Sequence, residues 1–442
     1  MPRAGRHLYA HGRWFTKRRL VGALLAVTAV GGGVAAAVFV PDWLESRSDD
    51  PTSSPTAQVP SCASTRLAGG DAGLGTVAWV DGGALFLLDL DSCEERTLLR
   101  VGAASPVRFS HDGAWVAFGD GSIVPVAGGE VLSPLGRLET WEWSPTDDVL
   151  AGVNAAGGVV IGGPEETRRS LLDKDADVEG VAFSPDGGSL GVAMGGDRVA
   201  VLDVVDGVTT TVYRVSPGTK APPLVAGWSP DGRWVLFFSR FAGETGVPLN
   251  TAPAEGGDWV NVFDPVLPHV DFVSWCGRRL ALSGGGERSP SEGNQILVSG
   301  PPDWHYENVS DDFSRSWIWP ACTPNGKWIV ATATPNRPES PPGRGIRALW
   351  LLSTDGDDRS RLSGAGNFAY EAARWSADGR FILVVRRGIE PDSPGALLLL
   401  RFDPSTARTT RAAGPVARIG VAPGEHGHTD WSNASDWYRP PR

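Results

Sequence analysis

The chain has 442 residues and a formal net charge of −11. Before residue 45 there are six Lys/Arg (Arg3, Arg6, Arg13, Lys17, Arg18, Arg19) against Asp42 alone, so the remainder, with 34 basic and 50 acidic side chains, carries −16. Such a surface repels phosphate backbones, which excludes nucleic acid as a partner, and the length suffices for one large closed domain.

Residues 1–19 are basic, and Leu20–Val40 follow without a charge. About 20 apolar residues cross a bilayer as a helix. The basic flank puts 1–19 in the cytoplasm and the rest outside. Residues 20–40 are therefore expected to be a single transmembrane helix anchoring the chain in the cell membrane. The competing reading is a cleaved signal peptide, with small residues at Ala35–Ala37 and a twin-arginine hint at Arg18-Arg19, which makes the protein secreted. No Cys stands there to carry a lipid. Both readings export the chain beyond residue 40. Residues 41–70, poor in apolar side chains over Glu45–Pro60, read as a flexible linker.

Three strands are expected next, at Thr76–Val80, Ala84–Leu90 and Arg96–Arg100. From there one unit recurs: an aromatic, a Ser-Pro-Asp-Gly turn and an apolar strand. Its clearest copy runs from Trp228 through Pro230, Asp231 and Gly232 to Phe238. Pro presets the negative φ of a turn's first central position, Asp bonds its own backbone two residues on, and Gly accepts a positive φ. Units begin at Phe109, Trp143, Phe183, Trp228, Trp275, Cys322 and Trp375, separated by 34, 40, 45, 47, 47 and 53 residues. Apolar strands follow at Trp115–Phe118, Val149–Val153, Leu190–Met194, Trp234–Phe238, Leu280–Leu282, Trp328–Ala331 and Phe381–Val385. Further strands follow at Val199–Asp203, Leu349–Leu352 and Leu397–Asp403. A period near 45 with several short strands per unit predicts an all-β propeller.

The units resemble the PD40, or WD40-like, repeat of TolB-type propellers over about residues 74–432. The motif is specific for fold and weak for function. Trp275-Cys276-Gly277 departs from it in lacking Pro-Asp-Gly, and Cys322 in replacing the aromatic. TolB itself carries an α/β domain before its propeller. That domain is not expected here, where a short linker precedes the first strand.

The first three strands lack a leading motif, and His428-Thr-Asp-Trp431-Ser432 looks like the start of a unit with nothing after it. Pairing the two ends in one blade removes open sheet edges. The expectation is eight four-stranded blades over 71–435, with 436–442 as a tail. Absorbing the degenerate Trp275 unit into an insertion would leave seven.

Four cysteines in an exported chain suggest disulfides, paired as Cys62–Cys93 and Cys276–Cys322. The first would pin the linker to the opening hairpin. The second would join equivalent places in adjacent units, where the turn motif is degenerate. Buried free thiols are the alternative. No CxxC occurs, and the seven His form no ligand pattern with Cys, so no metal is expected.

No catalytic residue or cofactor is expected either. There is no Gly-x-Ser-x-Gly elbow, and the peptidase domain that follows some similar propellers is not expected. Ser229–Trp234 resembles a sialidase Asp-box but lacks the residue between Asp and Gly. Asp173, Asp175 and Asp177 resemble the start of a calcium loop, but Val178 stands where Gly is needed and Ser184 where Glu is needed. Gly284–Gly286 precede no helix and cradle no phosphate. Asp112, Asp186, Asp231 and Asp378 read as turn residues.

The longest loops are Arg240–Trp259, Gly284–Asn294 and Pro335–Arg347, where recognition commonly resides. Trp304, His305, Trp317 and Trp319 are the candidate binding residues, as an aromatic platform for a partner or glycan; packing between blades is the competing reading. The expected function is that of a monomeric, membrane-tethered, non-catalytic binding or scaffold module for a cell-envelope protein, polymer or ligand. The alternative is a propeller enzyme acting on glycans through carboxylates at the channel mouth.

Overall fold

The computed structural model describes residues 73–100, 102–215, 222–239, 248–262, 270–284, 293–335, 347–362, 368–388, 395–419 and 431–438, with the pair Leu8–Tyr9, which lies antiparallel to Val273 and Phe272. The expected membrane span at 20–40, the linker at 41–70 and Cys62 lie outside the described residues.

Eight separate antiparallel sheets form, so the chain is an eight-bladed propeller. Blade one joins the two ends: Ser435–Tyr438 is its inner strand, followed outward by Thr76–Asp81, Ala84–Asp89 and Glu95–Leu99. The inner strands of blades two to eight are Val107–Phe109, Leu138–Trp143, Val178–Phe183, Leu224–Trp228, Val270–Cys276, Arg315–Cys322 and Phe368–Trp375. Blade six, around the degenerate Trp275 unit, is a full sheet, which rules out seven. Its turn is shortened: the inner strand ends at Cys276, the second starts at Arg279, and Gly277 bridges them with φ +65°. Blade two keeps three strands, with the fourth reduced to a bridge between Ile123 and Leu132.

The strands alternate in direction, which separates two faces. The turn face carries the motif turns between first and second strands and the connections between third and fourth. The loop face carries the connections between second and third strands and those from one blade to the next.

The motif turn is a closed hydrogen-bond circuit. In blade five, Ser229 N–H donates to Trp234 O at 2.8 Å, Gly232 N–H to Ser229 O at 2.9 Å, and Trp234 N–H to Ser229 Oγ at 2.9 Å. Ser229 Oγ–H in turn donates to Asp231 Oδ1 at 2.6 Å, which also accepts Arg233 N–H at 3.2 Å. The circuit recurs from Ser110, Ser184 and Ser376, and Thr323 with Asn325 reproduces it. It leaves these hydroxyls buried but satisfied. Positive φ is obligatory at Gly326, at +70°; an added Cβ there would fall 2.8 Å from Cys276 O of the preceding blade.

The core is divided among the joints. Eight apolar clusters are buried, one between each pair of neighbouring blades. Each sheet hides two faces, which a lone sheet could not do. A polar tie crosses most joints at the inner strands. Trp143, Trp228 and Trp375 donate Nε1–H to Arg108 O, Ala182 O and Ala321 O of the preceding blade, at 3.3, 2.9 and 2.8 Å. Elsewhere the side chain one residue before the leading position accepts the next blade's backbone. Phe109 N–H reaches Asp436 Oδ2 at 2.9 Å, Phe183 N–H reaches Glu142 Oε2 at 2.9 Å, and Cys322 N–H reaches Ser274 Oγ at 3.2 Å. Arg374 joins blade eight to Asp436 of blade one at 3.2 Å.

Ring closure is shifted from the expected place. Trp431–Ala434 is a helical turn, and the strand that succeeds it runs to Tyr438, past the boundary expected at 435. The leading aromatic is Trp437, whose Nε1–H donates to Leu74 O at 2.8 Å. Asp436, just before it, fills the accepting position that Glu142 and Ser274 hold in their own blades. Residues 436–438 are thus part of the ring.

Cys276 and Cys322 form the expected disulfide, with Cα atoms 5.0 Å apart, tying blade six to blade seven. Cys93 is also disulfide-bonded; its expected partner, Cys62, lies outside the described residues.

Candidate functional site

One half of the ring is built differently from the other. Connections between second and third strands are 82–83, 119–121, 155–158 and 195–197 in blades one to four, against 239–248, 285–294, 336–347 and 389–394 in blades five to eight. Buried polar side chains follow the same division. Apart from the motif hydroxyls, blades two to four bury none among the described residues, and blade one buries only Asn433 and Ser435 at its closure. Blades five to eight bury Ser239, Asn250, Ser283, Asn294, Gln295, Ser316, Arg347, Glu371 and Arg387 at or near the loop-face ends of their strands.

Several of these hold the loop face together. Asn250 Nδ2–H donates to Ser239 Oγ at 2.7 Å, closing the root of 239–248. Gln295 Oε1 accepts Ser310 Oγ–H at 2.8 Å and Asp312 N–H at 3.1 Å, which fixes the crossing from blade six to seven. Asp312 then meets Arg315 at 3.1 Å. Burial works to raise the Asp312 carboxyl, but hydrogen bonds from Ser314 and the charges of Arg359 and Arg315 outweigh it and hold the group below its ordinary value.

Between blades seven and eight stands a charged cluster that the sequence reading missed. Glu371 Oε1 accepts Arg347 Nη1–H at 2.6 Å and Arg387 Nε–H at 3.0 Å. Glu371 is fully buried, and Arg347 and Arg387 are 4% and 3% exposed. Burial pulls the Arg347 guanidinium down from its ordinary value, and Glu371 beside it works the other way. Burying such charges is tolerated only when they are closely paired. Arg347 also lies over the Trp319 ring at 5.3 Å. Both inner strands are kinked here: Trp319 and Ala372 take φ of +54° and +50° at matching bulges. A carboxylate inside the apolar run Phe368–Trp375, and arginines at the ends of two others, were the available signal.

The four expected aromatic residues do not form one platform. Trp304 is 3% exposed and lies on the turn face of blade six, edge-on to Trp234 at 5.6 Å. His305, next to it, is exposed and stacks on Tyr306. Trp317 is fully buried between blades six and seven, its Nε1–H directed at Asp312 O at 3.3 Å. Trp319, 5% exposed, packs on Phe272 and Arg347. The three tryptophans are interblade packing. Among the described residues, the exposed aromatics of the loop face are instead Phe313, 67% exposed, and Phe368, 39% exposed.

No family model and no curated protein match the chain. Among solved structures it is similar to TolB from Acinetobacter baumannii at 15% identity and TM-score 0.35, over 64% of this chain and 62% of that one. It is similar to a prolyl endopeptidase at 14% identity and TM-score 0.49, over 83% of this chain and 52% of that one. An oligogalacturonate lyase in complex with manganese is similar at 13% identity and TM-score 0.44, over 76% and 83% of the two chains. The chain thus spans less than two thirds of the TolB protein and about half of the endopeptidase. Its blade count and closure rest on its own strand pairing.

Proposed function

We propose that this propeller is a membrane-tethered, extracytoplasmic binding module that takes a cell-envelope protein or polymer on the loop face of blades five to eight, without turning it over. The one-sided build of that face carries the reading. Extended connections supported by buried polar networks occur in four consecutive blades, and recognition tends to reside on loops held by a rigid scaffold. The entry point of the chain agrees. Gly73 leads into blade one at the turn face, where Cys93 also lies, so a tether attached there leaves the loop face unencumbered.

The test installs a photo-crosslinking residue at Phe313 or Phe368 on the loop face, and at Val205 or Val208 on the turn face, in full-length protein in its own membrane. A discrete adduct from the first pair only is expected. Adducts from the turn face, or none from either, would sink the reading. Degradation products of a captured polymer would replace binding by catalysis. Protease protection of residues 1–19 tests the tether: a helix across the membrane at 20–40 would part Leu8–Tyr9 from Val273 and Phe272, so the two arrangements are alternatives.

A further inference from the structure

Among the described residues, the joint between blades five and six lacks the tie that crosses the others at the inner strands. Gly227 occupies the position from which Asp436, Glu142 and Ser274 accept a backbone N–H, and it has no side chain to do so. Trp275, the leading aromatic of blade six, has an Nε1–H with no acceptor among the described residues. Three more polar atoms at this joint are buried with no partner among the described residues: Trp304 Nε1, Ser299 Oγ and Thr251 Oγ1.

The strand register directs them into the same joint. Trp275 is opposite Leu280, and Leu280 is opposite Ser299. Directly paired residues leave a sheet on the same face, so Trp275 and Ser299 share the face of blade six that packs on blade five. Thr251 is opposite Leu236 and leaves blade five toward the same cluster. Trp304 of blade six meets Trp234 of blade five edge-on at 5.6 Å, and its ring centroid is 6.4 Å from that of Trp275. Trp275 and Trp304 are 7% and 3% exposed, and Ser299 and Thr251 are fully buried.

Four donor groups therefore face an apolar aromatic joint, and no carbonyl or carboxylate among the described residues accepts from either indole. An unpaired buried donor is costly and calls for an explanation. We propose that a halide ion occupies this joint and supplies the missing tie, accepting from both indoles and both hydroxyls. A halide adds no proton that needs an acceptor of its own. The edges of aromatic rings carry partial positive charge and suit an anion. Removing an ion from water is costly, so the site selects bromide over chloride and chloride over fluoride, in order of rising hydration cost.

The test uses the full-length protein in detergent, with sodium bromide exchanged for sodium sulfate at constant ionic strength. The thermal midpoint is expected to rise saturably with bromide, less with chloride and least with fluoride. Bromide-soaked crystals should show an anomalous peak among Trp275, Ser299, Trp304 and Thr251. Trp304→Phe should abolish the bromide response, and Ser299→Ala, which is small and keeps both indoles, should raise the half-saturating bromide several-fold. A peak without anomalous signal, meaning water, would overturn the proposal. So would a bromide response unchanged in both variants.

Discussion

Removing the Cys276–Cys322 bridge measures how much of the ring's stability lies in one covalent joint. The double replacement Cys276→Ala, Cys322→Ala leaves the tie from Cys322 N–H to Ser274 Oγ in place, because the donor is backbone. Both sulfurs lie in residues only 4% exposed, so alanine avoids burying a new hydroxyl. The bridge closes a sequence separation of 46 residues. Loop-closure entropy for that length is about 13 cal/mol/K, or about 4 kcal/mol at 25 °C. A ring spanning 73–438 that unfolds as one unit gains on the order of 0.75 kcal/mol/K of entropy at its midpoint, so the loss corresponds to a fall of about 5 °C. Differential scanning calorimetry of oxidised wild type and variant, with the bridge confirmed by mass spectrometry, provides the comparison. Adding reductant to wild type should move its midpoint toward the variant's. A shift under about 1 °C would refute the reasoning, showing either that the unfolded chain is already constrained or that blade seven is held by packing alone.

Two tryptophans of equal rank in the repeat should respond differently to Trp→Phe. Trp228→Phe removes the indole bond to Ala182 O in a buried joint and should cost about 0.5–1.5 kcal/mol by urea denaturation; in halide-free buffer, Trp275→Phe loses no hydrogen bond and should cost less. Asp148 is raised by burial and by Asp112, its hydrogen-bonded neighbour in the adjacent turn. A carboxyl raised on folding opposes stability above its folded pKa and not below its unfolded one, so Asp148→Asn should stabilise the ring at pH 7, by no more than about 1 kcal/mol, and lose the gain in acid. Asp186 has the opposite sign: its bond from Ser184 Oγ–H lowers it, and its contribution, present above the unfolded pKa, should fade as pH falls through the folded one. Asp436→Ala removes the acceptor of Phe109 N–H and the partner of Arg374, and should cost about 2–3 kcal/mol, with faster hydrogen exchange confined to blades eight, one and two.

The repeat was legible because its cause is local. Each motif turn closes bonds within five residues, and Ser229, Pro230, Asp231 and Gly232 carry the whole pattern in their identities. The strands at Trp115–Phe118 and Trp234–Phe238 match the expected ranges for the same reason, since the apolar run starts as soon as the turn ends. The Cys276–Cys322 pair was legible because repeats one period apart stand side by side.

What the sequence determined by itself was therefore the repeated unit, its period and its turn chemistry, and the full sheet around Trp275 then decided eight blades over seven. The tertiary structure alone decided which residue closes the ring, Trp437 rather than Trp431, because closure joins strands far apart in the chain, as the 363-residue reach of Trp437 Nε1–H to Leu74 O shows. It alone decided that Trp228 finds a protein acceptor and that Trp275 finds none among the described residues, since the acceptor belongs to the neighbouring blade. It alone assembled Arg347, Glu371 and Arg387, whose spacings of 24 and 16 residues match no local period. Bonds inside a turn are written in adjacent residues, whereas bonds across a joint depend on how two sheets come to rest against each other.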